Sequence, residues 1–326
     1  MATDTVRMRA VLPRALACAW FLTFVACGGG DTPSDGSGAP LDAVEAAPQA
    51  RRSFERSIVF VSTGSGPRIV VPWLLESVTR PGGLDRIYRG FLLRDGEWEP
   101  FYRSAWSTGP QREPWQIVPE GPFRILVGDG GRLDRVVFDG GGRQLQLTLE
   151  EGMVEWTGSQ GGSFGLLEGG LTLGDRRVPG WVLDVSQGVS LEEGTLGDWL
   201  FLTAGDDLAV VVEAPVDSGG DVRYQGWARR DGDEARWPLV DVEWETTQAY
   251  DPARREIPSV LVLATPDEGL TGRLTVRSLQ LEARDGAGPV LPVDGLLEVE
   301  GRLELDGSGV DVRGLLRHRA RRMPRE

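Results

Sequence analysis

Tyr88-Arg89-Gly90-Phe91-Leu92-Leu93-Arg94-Asp95-Gly96 returns further along the chain as Tyr224-Gln225-Gly226-Trp227-Ala228-Arg229-Arg230-Asp231-Gly232. Tyr, Gly, aromatic, Arg and Asp-Gly keep their spacing in both copies. Trp98 and Pro100 follow the first copy, and Trp237 and Pro238 follow the second. A second repeat keeps the same order: Gly165-Leu166-Leu167-Glu168 and Gly295-Leu296-Leu297-Glu298. Each leads into a hairpin-like run, Leu171-Thr172-Leu173-Gly174-Asp175 and Leu303-Glu304-Leu305-Asp306-Gly307. The copies lie 136 and 130 residues apart. That period is the size of a small domain and too long for a solenoid repeat. The chain therefore reads as two tandem copies of one β-domain.

Outward from these repeats, alternation of period two dominates. Arg143-Gln144-Leu145-Gln146-Leu147-Thr148-Leu149-Glu150 puts leucines on one face and polar residues on the other. Leu297 to Glu300 and Arg302 to Leu305 alternate in the same way, with Gly301 read as a bulge between them. Asp-Gly pairs at 95–96, 129–130, 139–140, 231–232 and 306–307 punctuate such runs. Asp-Gly between alternating hydrophobics signals a two-residue hairpin, because both turn positions need positive φ. Past the N-terminus no run has helical periodicity. Short strands joined by tight turns predict an all-β chain of antiparallel meanders, each closed as a barrel to remove its edges.

The N-terminus reads as an export signal. Arg7, Arg9 and Arg14 precede an apolar run from Ala15 to Ala26 that is too short to span a bilayer as a helix. Phe24-Val25-Ala26-Cys27 resembles a bacterial lipobox. That resemblance implies diacylation of Cys27, cleavage before it and N-acylation. Each buried acyl methylene would contribute about 0.8 kcal/mol to membrane attachment. By resemblance to sorted Gram-negative lipoproteins, Gly28 in place of Asp after the cysteine implies outer-membrane delivery, facing the periplasm. The Gly-, Ser- and Pro-rich stretch after it reads as a tether. The expected organisation is thus signal 1–26, tether 27–52, first barrel 53–187 and second barrel 188–326.

Composition excludes much. Net charge is −14, and −16 once three arginines and Asp4 leave with the signal. An acidic body argues against nucleic acid as a partner. Every basic residue but His318 is Arg, and Lys and Asn are absent, so no Schiff-base or Walker lysine exists. Cys18 leaves with the signal and Cys27 is acylated, so no thiol remains. A single histidine excludes a multi-histidine metal site. No cofactor or metal is expected.

Asp184-Val185-Ser186-Gln187-Gly188, then Asp198-Trp199-Leu200-Phe201-Leu202, together with the two-domain plan, resemble the family of carotenoid 1,2-hydratase (hydroxyneurosporene synthase) and AttH-like proteins. The resemblance implies two tandem antiparallel lipocalin-like (calycin) β-barrels. Val185 and Gln187 stand where that family's signature has histidine and an aromatic. The resemblance also implies Asp184 as the proton donor of a hydratase- or isomerase-like reaction, with Trp181 and Trp199 as walls. Protonating an alkene needs a carboxylic acid held neutral in a dry pocket, with aromatic faces to stabilise the cation.

Other readings come from the residues themselves. Ten tryptophans follow the signal, more than a small barrel needs for its core. Trp181, Trp199, Trp227 and Trp244 are the candidate lining of an apolar site for a hydrophobic or isoprenoid-like small molecule. Gly161-Gly162-Ser163-Phe164-Gly165 matches a nucleophile elbow and, with Asp184 and His318, gives a hydrolase-like order, but it lacks the strand–turn–helix setting. Asp241, Glu243 and Glu245 share one strand face, either a cation-binding row or a solvated outer face. The Arg-rich end from Arg313 to Arg325 reads as a solvated last strand and a frayed tail. The leading expectation is a lipid-anchored binder, with catalysis through Asp184 and a purely structural or partner-binding role as rivals.

Overall fold

The computed structural model describes residues 51–319 except 65, 67, 112–115, 117–120, 129–131, 159–160, 192–195, 215–223 and 285–288. Cys27, the signal, nearly all of the tether, Trp115, the Asp-Gly pair at 129–130 and the arginines after Arg319 lie outside the described residues.

Two antiparallel sheets follow one another. The first contains β1 (Arg52–Ser62), β2 (Ile69–Arg80), β3 (Gly83–Arg94), β4 (Glu97–Thr108) and β5 (Phe123–Val127). It continues with β6 (Leu133–Gly140), β7 (Arg143–Thr157), β8 (Ser163–Leu173) and β9 (Arg176–Ser190). The second contains β10 (Trp199–Ala204), β11 (Leu208–Glu213), β12 (Tyr224–Arg230) and β13 (Asp233–Tyr250). It ends with β14 (Arg255–Ala264), β15 (Leu270–Ala283), β16 (Val293–Leu305) and β17 (Ser308–His318). A 3-10 turn, Asp251–Ala253, joins β13 to β14.

The second sheet closes, β10 pairing with both β11 and β17, into an eight-stranded barrel. The first curls in the order β4-β3-β2-β1-β9-β8-β7-β6-β5 but leaves β4 and β5 unpaired with each other. Expected closure thus fails in hydrogen bonds on one side only. The chain between these edges carries Pro110, Pro114, Pro119 and Pro122, which have no N–H to donate. Side chains bridge the seam instead. Tyr102 stacks on Phe123 at 5.9 Å between centroids, Phe101 meets Phe138 at 5.0 Å, and Arg143 pairs with Glu99 at 2.5 Å.

The turns follow their chemistry. Asp95-Gly96, Asp231-Gly232 and Asp306-Gly307 all have positive φ at both positions. The pair at 139–140 does not. There the chain turns on Gly141 and Gly142, at φ 60° and 77°, and Gly140 ends β6. Gly301 is not a bulge. It sits in register between Leu274 and Val312, where a Cβ would come 2.0 Å from the Arg273 carbonyl.

The repeated motifs occupy equivalent places. Tyr88 and Tyr224 lie in the third strand of each sheet, and Gly165 and Gly295 in the last but one. Each Tyr-x-Gly glycine sits beside a register shift and under an aromatic of the next strand. A Cβ on Gly90 would lie 2.6 Å from Phe101 Cζ, and one on Gly226 would lie 3.1 Å from Trp237 Cε3.

Alternation explains the three cores. Ile58, Phe60, Trp73, Tyr88 and Val182 fill the concave side of the first sheet. Leu202, Val210, Tyr224, Trp237, Leu263 and Leu274 fill the closed barrel. The intervening residues, among them Val59, Val61, Leu183, Phe201, Val211 and Leu315, pack sheet against sheet. Strands buried on both faces read as unbroken apolar runs, as in Ile58–Val61 and Trp199–Leu202. Each such side chain contributes about 1.5–3 kcal/mol on burial.

Candidate functional site

Three of the four candidate tryptophans meet in the packing between the sheets. Trp181 of β9, Trp199 of β10 and Trp227 of β12 belong to one buried cluster. Trp181 donates its indole N–H to the Gly205 carbonyl at 3.1 Å, which ties the first sheet to the β10–β11 turn. Trp199 is fully buried and acts as core. Trp244 lies elsewhere, against the interior of the closed barrel, with its ring edge-on to His318 at 5.2 Å.

Trp227 marks an opening. It stacks on Trp156 of β7 at 5.2 Å, and Trp156 stacks on Phe164 of β8 at 5.7 Å with planes 6° apart. Val154, Leu166, Ala209 and Val211 complete an apolar crevice between the sheets, with Arg229 and Glu234 at its rim. Its empty space is about 270 Å³ including the mouth, and its enclosed depth is about the size of one water. Trp156 and Trp227 are 8% and 9% exposed, and the indole nitrogen of Trp156 is itself buried. The buried Glu213 carboxylate accepts from Gln225 beside this stack. Gly158 fits between the two: a Cβ there would lie 2.6 Å from Phe164 Cε2 and 3.0 Å from Glu213 Oε1.

Asp184 is elsewhere, on the concave side of the first sheet. Arg56 grips it with two bonds, Nε to Oδ1 at 2.8 Å and Nη2 to Oδ2 at 2.6 Å. Both carboxylate oxygens are therefore acceptors for a guanidinium, the bidentate geometry of an ion pair. Burial alone would lower the Arg56 pKa, but its bonds and charge interaction with Asp184 raise it. Gly165, opposite Asp184 in the register, leaves the space beside it without a side chain.

The hydrolase-like set does not assemble. Ser163 begins β8 and pairs with Ser186, with no helix after it. His318 Nδ1 bonds Asp198 Oδ2 at 2.9 Å, and Asp198 Oδ1 accepts the Arg319 backbone N–H at 2.6 Å. Asp241, Glu243 and Glu245 are exposed, and Glu245 pairs with Arg273 at 2.7 Å, as a solvated outer face does.

The last strand departs from the solvated reading. Arg317 and Arg319 are buried in an ionic network between the sheets. Arg89 Nη2 meets Asp294 Oδ2 at 2.6 Å, and Arg284 grips Glu76 at 2.7 and 2.6 Å. Arg317 binds Asp294 and reaches Glu55 at 3.5 Å, and Arg319 contacts Glu55. Burial would raise the Asp294 carboxyl, but Arg317, Arg89 and Arg284 outweigh it and hold it well below 3.8. Burial pushes Arg317 down to about 10 and Arg319 down to about 9, so both stay charged at neutral pH.

No family model matches the chain, and no curated protein matches it in sequence. Solved structures do. An AttH-type protein from Nitrosomonas europaea superposes with TM-score 0.55 at 13% identity, covering 86% of this chain and 98% of that one. Kievitone hydratase from Nectria haematococca gives 0.53 at 12%, covering 82% and 89%. CghA bound to Sch210972 gives 0.50 at 12%, covering 82% and 87%. The chain shares its fold with these proteins. At such low identity the likeness carries the two-sheet lipocalin-like architecture and no residue's role.

Proposed function

We propose that this protein binds a hydrophobic small molecule in the crevice between its two sheets. The observation that carries the reading is the Trp156–Trp227 stack, two indoles lining an otherwise aliphatic cleft. Large flat rings with small side chains opposite them suit an unsaturated or isoprenoid-like chain laid along the cleft. Neighbours that share the fold support it: one is named a hydratase, and another was crystallised with Sch210972. Binding is the better-supported activity because Asp184 is committed to Arg56 and lies on the opposite face of the first sheet from this crevice.

The proposal places the protein on a membrane through acylated Cys27, facing the periplasm. The reasons are the lipobox-like Phe24-Val25-Ala26-Cys27 and the Gly/Ser/Pro-rich stretch after it.

Mass spectrometry of compounds extracted from the purified protein tests the binding reading. A bound apolar molecule that disappears in Trp227→Ala is the expected result. The same compounds recovered in equal amount from the variant would reject the crevice as the site.

A further inference from the structure

Paired strands of the first sheet are all antiparallel, so its turns alternate between two ends. Arg52 at the start of β1 lies opposite Ser190 at the end of β9. That end also carries the β7–β8 and β5–β6 turns, while the β6–β7 and β8–β9 turns lie at the other. The chain enters the fold at the first end, where the Leu191 N–H donates to the Arg51 carbonyl at 2.8 Å. The sequence back to Cys27 therefore joins the body here.

The same end exposes carbon. Leu126 and Val127, where β5 runs into its turn, are 44% and 56% exposed, and Leu191, just after β9, is 37% exposed. Among the described residues one other large hydrophobic side chain is as exposed, Leu279 of the closed barrel. A single exposed leucine needs no explanation, but three gathered at the end where the chain enters do.

We propose that this end of the first sheet rests on a lipid surface, with Leu126, Val127 and Leu191 set among the head groups. The proposal rests on acylation of Cys27. Residues 28–50 separate Cys27 from Arg51, and a Gly-, Ser- and Pro-rich chain of that length spans about 25–30 Å on average. So short an anchor holds the entry end near the bilayer, where high local concentration lets a small apolar contact suffice. Acidic residues flank the three in sequence, Asp129 and Asp134 after the β5 pair and Glu192 and Glu193 after Leu191. The contact is therefore burial of carbon among zwitterionic head groups, not attraction to anionic ones.

The mature full chain in phosphatidylcholine vesicles tests this, since no other thiol competes for a label. A fluorophore is placed on Arg132→Cys, beside the β5–β6 turn, or on Asp175→Cys, in the β8–β9 turn at the opposite end, both exposed positions. Lipid with acyl chains brominated near the head group should quench the first label and not the second. The quenching should be lost in Leu126→Ser/Val127→Ser, two exposed positions whose change leaves the core intact, and should be unchanged by added salt. Protein that fails to pellet with the vesicles would remove the anchor on which the proposal rests and overturn both. Protein that pellets but is quenched equally at the two labels, or equally with and without Leu126 and Val127, would overturn the docking alone. So would a label at 132 that is shielded from iodide yet not quenched by bromine, which would mark a second copy of the chain as the cover.

Discussion

Trp156 of the first sheet stacks on Trp227 of the second, their ring centroids 5.2 Å apart and their planes 26° from parallel. The contact joins residues 71 positions apart in the chain and welds two separately hydrogen-bonded sheets. Trp199, fully buried in the same cluster, should therefore matter to stability more than to binding. Trp199→Ala is expected to cost about 3–5 kcal/mol in denaturant unfolding. A loss under 1 kcal/mol would show that the sheets hold together without this cluster.

Gly90 explains one letter of the repeat. With a Cβ 2.6 Å from Phe101 Cζ, Gly90→Ala should destabilise by about 1–3 kcal/mol through overpacking. The cost should shrink in a Phe101→Leu background, since the two residues share one contact. Additive effects in the double mutant would disprove that origin.

Asp294 carries the pH dependence. Its carboxyl is held well below 3.8 in the folded chain, so below that value the unfolded chain binds a proton that the folded one refuses. Stability is therefore present above pH 3.8 and falls as pH drops below it. Asp294→Asn should flatten that acid limb. At neutral pH it should cost about 3–5 kcal/mol, because Arg317, Arg89 and Arg284 lose their shared counter-ion. Unfolding curves from pH 2 to 7 read both effects.

The proposed acylation of Cys27 predicts where the protein resides. Cys27→Ala should leave the precursor unprocessed or release the body from the membrane fraction, as read by fractionation and intact mass. A variant that matures normally and still sediments with membrane would refute acylation at this residue.

Much of the architecture was legible because turns and repeats are local. Asp95-Gly96 and Asp231-Gly232 announce their hairpins within two residues, and the spaced Tyr-x-Gly copies announce the duplication. The open seam was not legible, since β4 and β5 each look like ordinary strands and only their failure to pair sets them apart. The candidate site is half legible. An excess of tryptophan pointed to Trp181, Trp199 and Trp227, which do meet. Trp156 was in the same pool, but a strand pattern alone does not say whether its face looks inward or toward the other sheet. For that reason the pattern does not separate Trp244, which packs toward the closed barrel, from the other three. Partners distant in sequence were invisible. Arg56 lies 128 residues from Asp184 within the first sheet and Arg89 lies 205 from Asp294 across the two sheets, so charges in strands read as solvated until distant strands pair with them or pack on them.

The most direct test of the binding account is intrinsic tryptophan fluorescence during titration with retinol. Saturable quenching in the native chain, lost in Trp227→Ala and in Trp156→Ala, is the predicted result. Quenching that is absent, or unchanged in both tryptophan variants, would contradict a ligand site between the two sheets.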